Sequence, residues 1–241
     1  MRTLSSNRRL ILTLAMLFAI VRGACSAQAV DVSAHVELTH QGKQDAHLGS
    51  SNVVVWLTPL QDGLISAAPR KPQEYTLAQK DKQFRPHLLV VPIGSSVNFP
   101  NMDPFFHNVF SLFNGKRFDL GLYEGHIHHA VQFDREGISF IFCNIHPDMG
   151  AVVVSLSTPF YAVSTADGAV LIRSVPTGKY RLNVWAENVS MDSLNKLSRT
   201  IEISPQSSQL GTIQLHSSGD VMSRHLNKFG ENYDPASKSA Y

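Results

Sequence analysis

The sequence predicts an all-β protein built as one β-sandwich plus a second, smaller one, and three observations carry that expectation. Short apolar or alternating runs recur along the chain with turn residues between them, and none holds a 3.6-residue apolar period for more than two turns. With 43% hydrophobic and 17% charged residues in 241, there is apolar material for one generous domain or two small ones. The candidate strands also outnumber the roughly seven that a single small sandwich uses.

Residues 1–29 stand apart from the rest. Arg2, Arg8 and Arg9 precede an apolar run over 10–21 interrupted only by Thr13, and Ala27-Gln28-Ala29 closes the segment. This is the charged start, apolar middle and small-residue cleavage site of a secretory signal, too short for a comfortable membrane span. Cleavage after Ala29 is expected, giving a periplasmic or otherwise secreted mature protein without a membrane span. Cys25 suggests a lipid-attachment cysteine, but Arg22 stands where such a signal carries an aliphatic residue. Losing Arg2, Arg8, Arg9 and Arg22 takes the formal net charge from +2 to −2, so the basicity belongs to the signal. No clustered basic face remains, which argues against a nucleic-acid partner.

Candidate strands follow at 32–38, 52–57, 87–91, 95–100, 130–133, 138–143, 151–156, 160–164, 169–172, 181–185, 198–203 and 211–215. Residues 61–73 read as a loop, with Asp62-Gly63, Pro69, Pro72 and the pair Arg70-Lys71, and Ser157-Thr158-Pro159 marks a second break. These seams isolate a candidate domain over 74–157. Residues 217–241 are polar and read as a flexible tail.

Cleavage leaves Cys143 alone in an oxidising compartment, where paired thiols become disulfides. Such a cysteine is a buried inert thiol, half of an intermolecular disulfide, a nucleophile or a metal ligand, and its neighbours decide. They are Phe140-Ile141-Phe142-Cys143-Asn144-Ile145-His146-Pro147-Asp148-Met149-Gly150, a strand feeding a tight loop. A thiolate, an imidazole and a thioether within seven residues suit copper, which takes a thiolate, two imidazoles and a long axial thioether. The missing imidazole is available in Phe105-Phe106-His107-Asn108-Val109-Phe110, read as a loop after strand 95–100. Its large apolar side chains would keep water out and help set a redox potential.

These residues resemble the copper loops of the cupredoxins. Cys143-x2-His146-x2-Met149 is similar to the short ligand loop of amicyanin more than to the longer one of plastocyanin, and His107-Asn108-Val109 resembles amicyanin at the upstream ligand. The frame from Phe84-x-Pro86 through Val90-Val91-x-x-Gly94 to Val97-x-Phe99-x-Asn101 also resembles the family over about 74–157. The likeness extends to secreted cupredoxins of the methylamine utilization type. It implies a Greek-key sandwich with His107, Cys143 and His146 as equatorial copper ligands, Met149 as axial ligand and Asn108 tying the two loops together. If Asp148 or water replaced Met149, the site would be of the red rather than the blue kind.

A second group, His126-x-His128-His129, precedes strand 130–133, with His126 and His128 on one face of an extended chain. An accessory copper or zinc site is one reading of it; a solvated edge is the reading favoured here. Beyond the second seam, Thr165-Ala166-Asp167-Gly168 and Pro176-Thr177-Gly178-Lys179-Tyr180 resemble the carboxypeptidase-regulatory-like sandwich. That fold's opening strands are missing locally, so segments 30–60 and 158–216 are expected to form one sandwich interrupted by the cupredoxin, or else two consecutive domains.

The resulting expectation is an exported type 1 copper protein that carries one electron between redox partner proteins. A periplasmic copper-binding or copper-delivery protein is the alternative. Catalysis would need an open metal position or a second metal. The sequence displays neither, so the chain is expected not to be an enzyme.

Overall fold

The computed structural model describes residues 28–40, 43–44, 50–61, 71–112, 115–218 and 226–233. Of the expected signal, residues 1–27, with Cys25, lie outside the described residues, as do 219–225 and 234–241 of the polar tail. Within them the protein is all-β, with a single short helix, Met191–Leu197, capped by the Ser190 side chain accepting from the Ser193 amide. No helix among the described residues is long and apolar enough to cross a membrane.

Two sheets surround the metal-loop region. The larger orders Phe118–Tyr123, His107–Ser111, Gly137–Phe142, Gly150–Leu156 and Leu88–Pro92, and the smaller orders His128–Phe133, Ser95–Pro100 and Glu74–Thr76. A hairpin, Ala78–Lys80 with Gln83–Arg85, closes one end. Alternation along the strands fills the space between these sheets with Val97, Phe99, Val109, Val131, Phe133, Ile141 and Val153.

The remaining strands form two further sheets. Ala29–His40 lies between Ala169–Pro176, antiparallel, and Gln209–Ser217, parallel, while Val54–Pro59 lies between Tyr161–Val163 and Gly178–Trp185, with Arg199–Ile203 beyond. Strands from before residue 60 thus pair with strands from after residue 160.

Gly150–Leu156 belongs to both cores. Its period of two sends Ala151 and Val153 toward the metal-loop core, and Val152, Val154 and Leu156 toward Tyr180, Leu182 and Trp185. A strand covered on both faces needs a continuous apolar run, and Ala151-Val152-Val153-Val154 supplies one.

Among the differences from the sequence expectation, three lie beside the His107 and Cys143 segments. The segment read as a loop around His107 is the strand His107–Ser111, buried at every position because it sits second in the larger sheet. Its edge partner Phe118–Tyr123 escaped notice because Gly121, at φ +71°, interrupts the alternation at a bulge between Asp119 and Leu122. The tail, expected to be flexible, has a docked segment at 226–233: the Lys228 amide donates to Asn144 Oδ1 (2.9 Å), and Lys228 Nζ lies 2.8 Å from Asp119 Oδ2. Tyr233 Oη donates to the Cys143 carbonyl at 2.9 Å. Polar side chains dock this segment through specific hydrogen bonds, which composition does not reveal.

Candidate metal centre

His107 opens an internal strand, Cys143 follows the strand Gly137–Phe142, and His146 sits in the turn that leads into Gly150–Leu156. That turn is closed by backbone bonds, the Met149 amide donating to His146 O (3.1 Å) and the Cys143 amide to Met149 O (3.2 Å). Pro147 suits it, since the turn asks no hydrogen bond of its nitrogen.

The three donor atoms converge. His107 Nδ1 and His146 Nδ1 are 3.1 Å apart, and Cys143 Sγ lies 3.8 Å from the first and 3.5 Å from the second. The point equidistant from the corners of that triangle is about 2.0 Å from each, the usual length of a bond from imidazole nitrogen to a transition metal and slightly short for sulfur. His107 and Cys143 are wholly buried, and His146 is 6% exposed. Among the described residues this is the one group of three or more His, Cys, Asp or Glu side chains placed to hold a metal ion.

Asp103, which sequence reasoning missed, orients the first histidine. Its Oδ2 accepts from His107 Nε2 at 2.8 Å, which leaves the Nδ1 lone pair free to face the cluster. The same carboxylate accepts the backbone amides of Asp81 (2.7 Å) and Lys82 (3.0 Å), the two turn residues of the small hairpin, held at φ 57° and 56°. Non-glycine residues in that region cost roughly 1 kcal/mol each, which the carboxylate offsets by capping both donors. The signal for it in sequence is weak, because Asp103 sits in irregular chain and its other partners come some twenty residues earlier.

Burial sets the protonation states. It lowers the pKa of His107 against the raising effect of Asp103, and with the nearby His107 charge it takes His146 down to about 4, so both rings are neutral ligands near neutral pH. Burial would raise Asp103, but the His107 bond and the two turn amides outweigh it and hold the carboxylate below its ordinary range. Burial raises the Cys143 thiol, while backbone N–H groups of Asn108, Ile145 and His146 favour the thiolate; a bound cation would complete that shift.

The backbone N–H of Asn108 favours the thiolate form of Cys143. The Asn108 side chain serves a different purpose, donating to Asp119 Oδ1 (2.8 Å) and the Gly121 carbonyl (2.9 Å) at the bulge. Met149 is buried at 1% in the core that contains Cys143, whereas Asp148 is exposed. A thioether rather than a carboxylate is therefore on the inner side of the loop. Phe105 packs on both rings, with centroids 5.2 Å from His107 and 5.9 Å from His146, and Phe106 beside it is 53% exposed. His128 and His129 open the edge strand of the smaller sheet, with His126 in the turn before it, all apart from this cluster.

No protein-family model matches the chain, and no curated protein matches it. Among solved structures, it is similar to a purple cupredoxin from Nitrosopumilus maritimus, at 21% identity over 35% of this chain and 99% of that one, with a TM-score of 0.31. A methionine-to-alanine variant of amicyanin with copper(I) matches at 17% identity over 34% of this chain and 82% of that one, TM-score 0.31. A copper-containing nitrite reductase from Thermus scotoductus matches at 19% identity over 50% of this chain and 28% of that one, TM-score 0.35. The first two of these are cupredoxin structures and the third is a copper-containing reductase. The expectation that the chain is not an enzyme is corrected here, since a copper-containing nitrite reductase stands among these matches.

Proposed function

We propose that this chain is an exported type 1 copper protein that passes one electron at a time between redox partner proteins. His107, Cys143 and His146 would hold the metal, with Met149 in the same core as a thioether donor. The observation that carries this reading is the buried triangle of Nδ1, Nδ1 and Sγ, sized for a metal before any metal is bound. Copper bound there would supply a one-electron couple tuned by a thiolate and a thioether.

The protein's own groups do the rest. Asp103 keeps the His107 tautomer fixed through Nε2, and the amides on Cys143 stabilise negative charge on sulfur. Phe105 keeps water from both rings, and donors fixed by strands and a closed turn leave little to rearrange when the charge changes. His146 comes nearest the surface, and Pro147 and Phe106 beside it form an apolar rim on which a partner would dock.

The same reading assigns 74–157 to a cupredoxin unit set into a second sandwich of the carboxypeptidase-regulatory kind, from 30–60 and 158–216. The pairing of Ala29–His40 with Ala169–Pro176 and Gln209–Ser217 supports it. Voltammetry of the copper-loaded mature protein tests the function. A reversible wave of one electron per chain is expected; an irreversible wave, or a metal that no mild reductant can cycle, would refute electron carriage.

A further inference from the structure

We propose that the cleft between the ends of the smaller sheet's two long strands is a second metal site, which takes copper(I) from solution through His126, His128 and Met102. The antiparallel ladder pairs His128 with Pro100 and His129 with Phe99. One step beyond, the His126 amide donates to Asn101 O (2.8 Å) and the Asn101 amide to Ile127 O (2.9 Å), which sets Met102 across from His126. His126, in a turn at φ +69°, and His128, the first residue of the strand, line a cleft of about 270 Å³ with Pro100, Asn101 and Met102.

Two imidazoles and a thioether are a soft donor set that suits copper(I) far better than magnesium, calcium or manganese. All three side chains are accessible: Met102 is 55% exposed, and both histidines are exposed. His129 serves another purpose, its ring set edge-on to Tyr123 with centroids 4.7 Å apart. Only the outward pair faces the cleft.

The cleft is also tied to the buried centre. Gly125 presses the turn that carries His126 against the chain at Asp103, where a Cβ would fall 2.4 Å from the Asp103 carbonyl oxygen. Asp103 follows Met102 directly and holds His107 through its carboxylate. Metal captured at the surface would therefore bind one residue along the chain from the group that orients the first buried ligand. Binding in the cleft itself does not depend on how the buried centre is read.

The test is a titration of the metal-free mature protein with copper(I) buffered by a coloured chelator, comparing wild type with a Met102→Leu, His128→Gln double variant. Both replaced side chains are exposed, so the fold is not at risk. Two copper ions per chain are expected for wild type and one for the variant. Silver(I), a diamagnetic substitute, should shift the ring resonances of His126 and His128 in wild type and leave His126 unshifted in the variant. Equal copper numbers in the two proteins would overturn the proposal. Should the buried centre prove not to bind copper, the variant-sensitive ion would still be counted, so the two readings fail separately.

Discussion

Replacing Asp103 with asparagine changes one acceptor and almost no volume, and its consequences can be worked out from the contacts. Three donors converge on the carboxylate: the Asp81 amide on Oδ1, and the Lys82 amide and His107 Nε2 on Oδ2. An amide has one oxygen. The less costly orientation of Asp103→Asn keeps that oxygen on Lys82 and His107, which turns its NH₂ toward the Asp81 amide and leaves two buried donors opposed. With the Asp103 side chain 6% exposed, water does little to relieve this, and the cost is about 1–3 kcal/mol of folding stability. His107 then donates to a neutral acceptor, a bond about half as strong, and copper(II) affinity should fall roughly 10- to 100-fold. Urea unfolding of the metal-free protein measures the first effect, and a competition titration the second. If stability falls as expected while affinity stays within about twofold, the carboxylate only caps a turn, and its assigned role in orienting His107 is wrong.

Two other perturbations bear on the same loop. Because His146 is held at about 4 when folded and near 6.5 when unfolded, the unfolded chain binds the extra proton between those values. The contribution of His146 to the stability of the metal-free protein should therefore be flat above about pH 6.5 and fall as pH drops toward 4, by up to about 3 kcal/mol, and His146→Gln should flatten the acid decline in urea melts. Tyr233→Phe removes the bond to the Cys143 carbonyl, worth about 0.5–1.5 kcal/mol, and should release segment 226–233. Faster proteolysis of that segment and several-fold faster reaction of the Cys143 thiol with an aromatic disulfide are expected; unchanged rates for both would show that the segment does not brace the loop.

What the sequence reveals here depends on how local the responsible contacts are. The Cys143 to Met149 loop is legible because one short turn presents its donors and the strands on either side are continuous apolar runs. His107 is legible from its neighbours, although it opens a buried strand rather than sitting in a loop. Asp103 is not, because its function exists only once a hairpin turn at Asp81 and Lys82 has been folded against it. Phe118–Tyr123 is hidden by the glycine bulge that breaks its period, and the docked tail by its reliance on three polar contacts across 84 to 109 residues of chain. The two-faced strand Gly150–Leu156 lies between these cases: its apolar run signals burial, while the partner on its second face is set by topology.

The central claim is that Cys143, with His107 and His146, binds copper as a thiolate, and its most direct test is the visible spectrum of the copper(II)-loaded mature protein beside that of Cys143→Ser. An intense band from thiolate-to-copper charge transfer is predicted for wild type and its complete loss for the variant, with the same thermal midpoint for the two metal-free proteins within a few degrees. Stoichiometric copper(II) binding without that band, or a band that survives in Cys143→Ser, would contradict it.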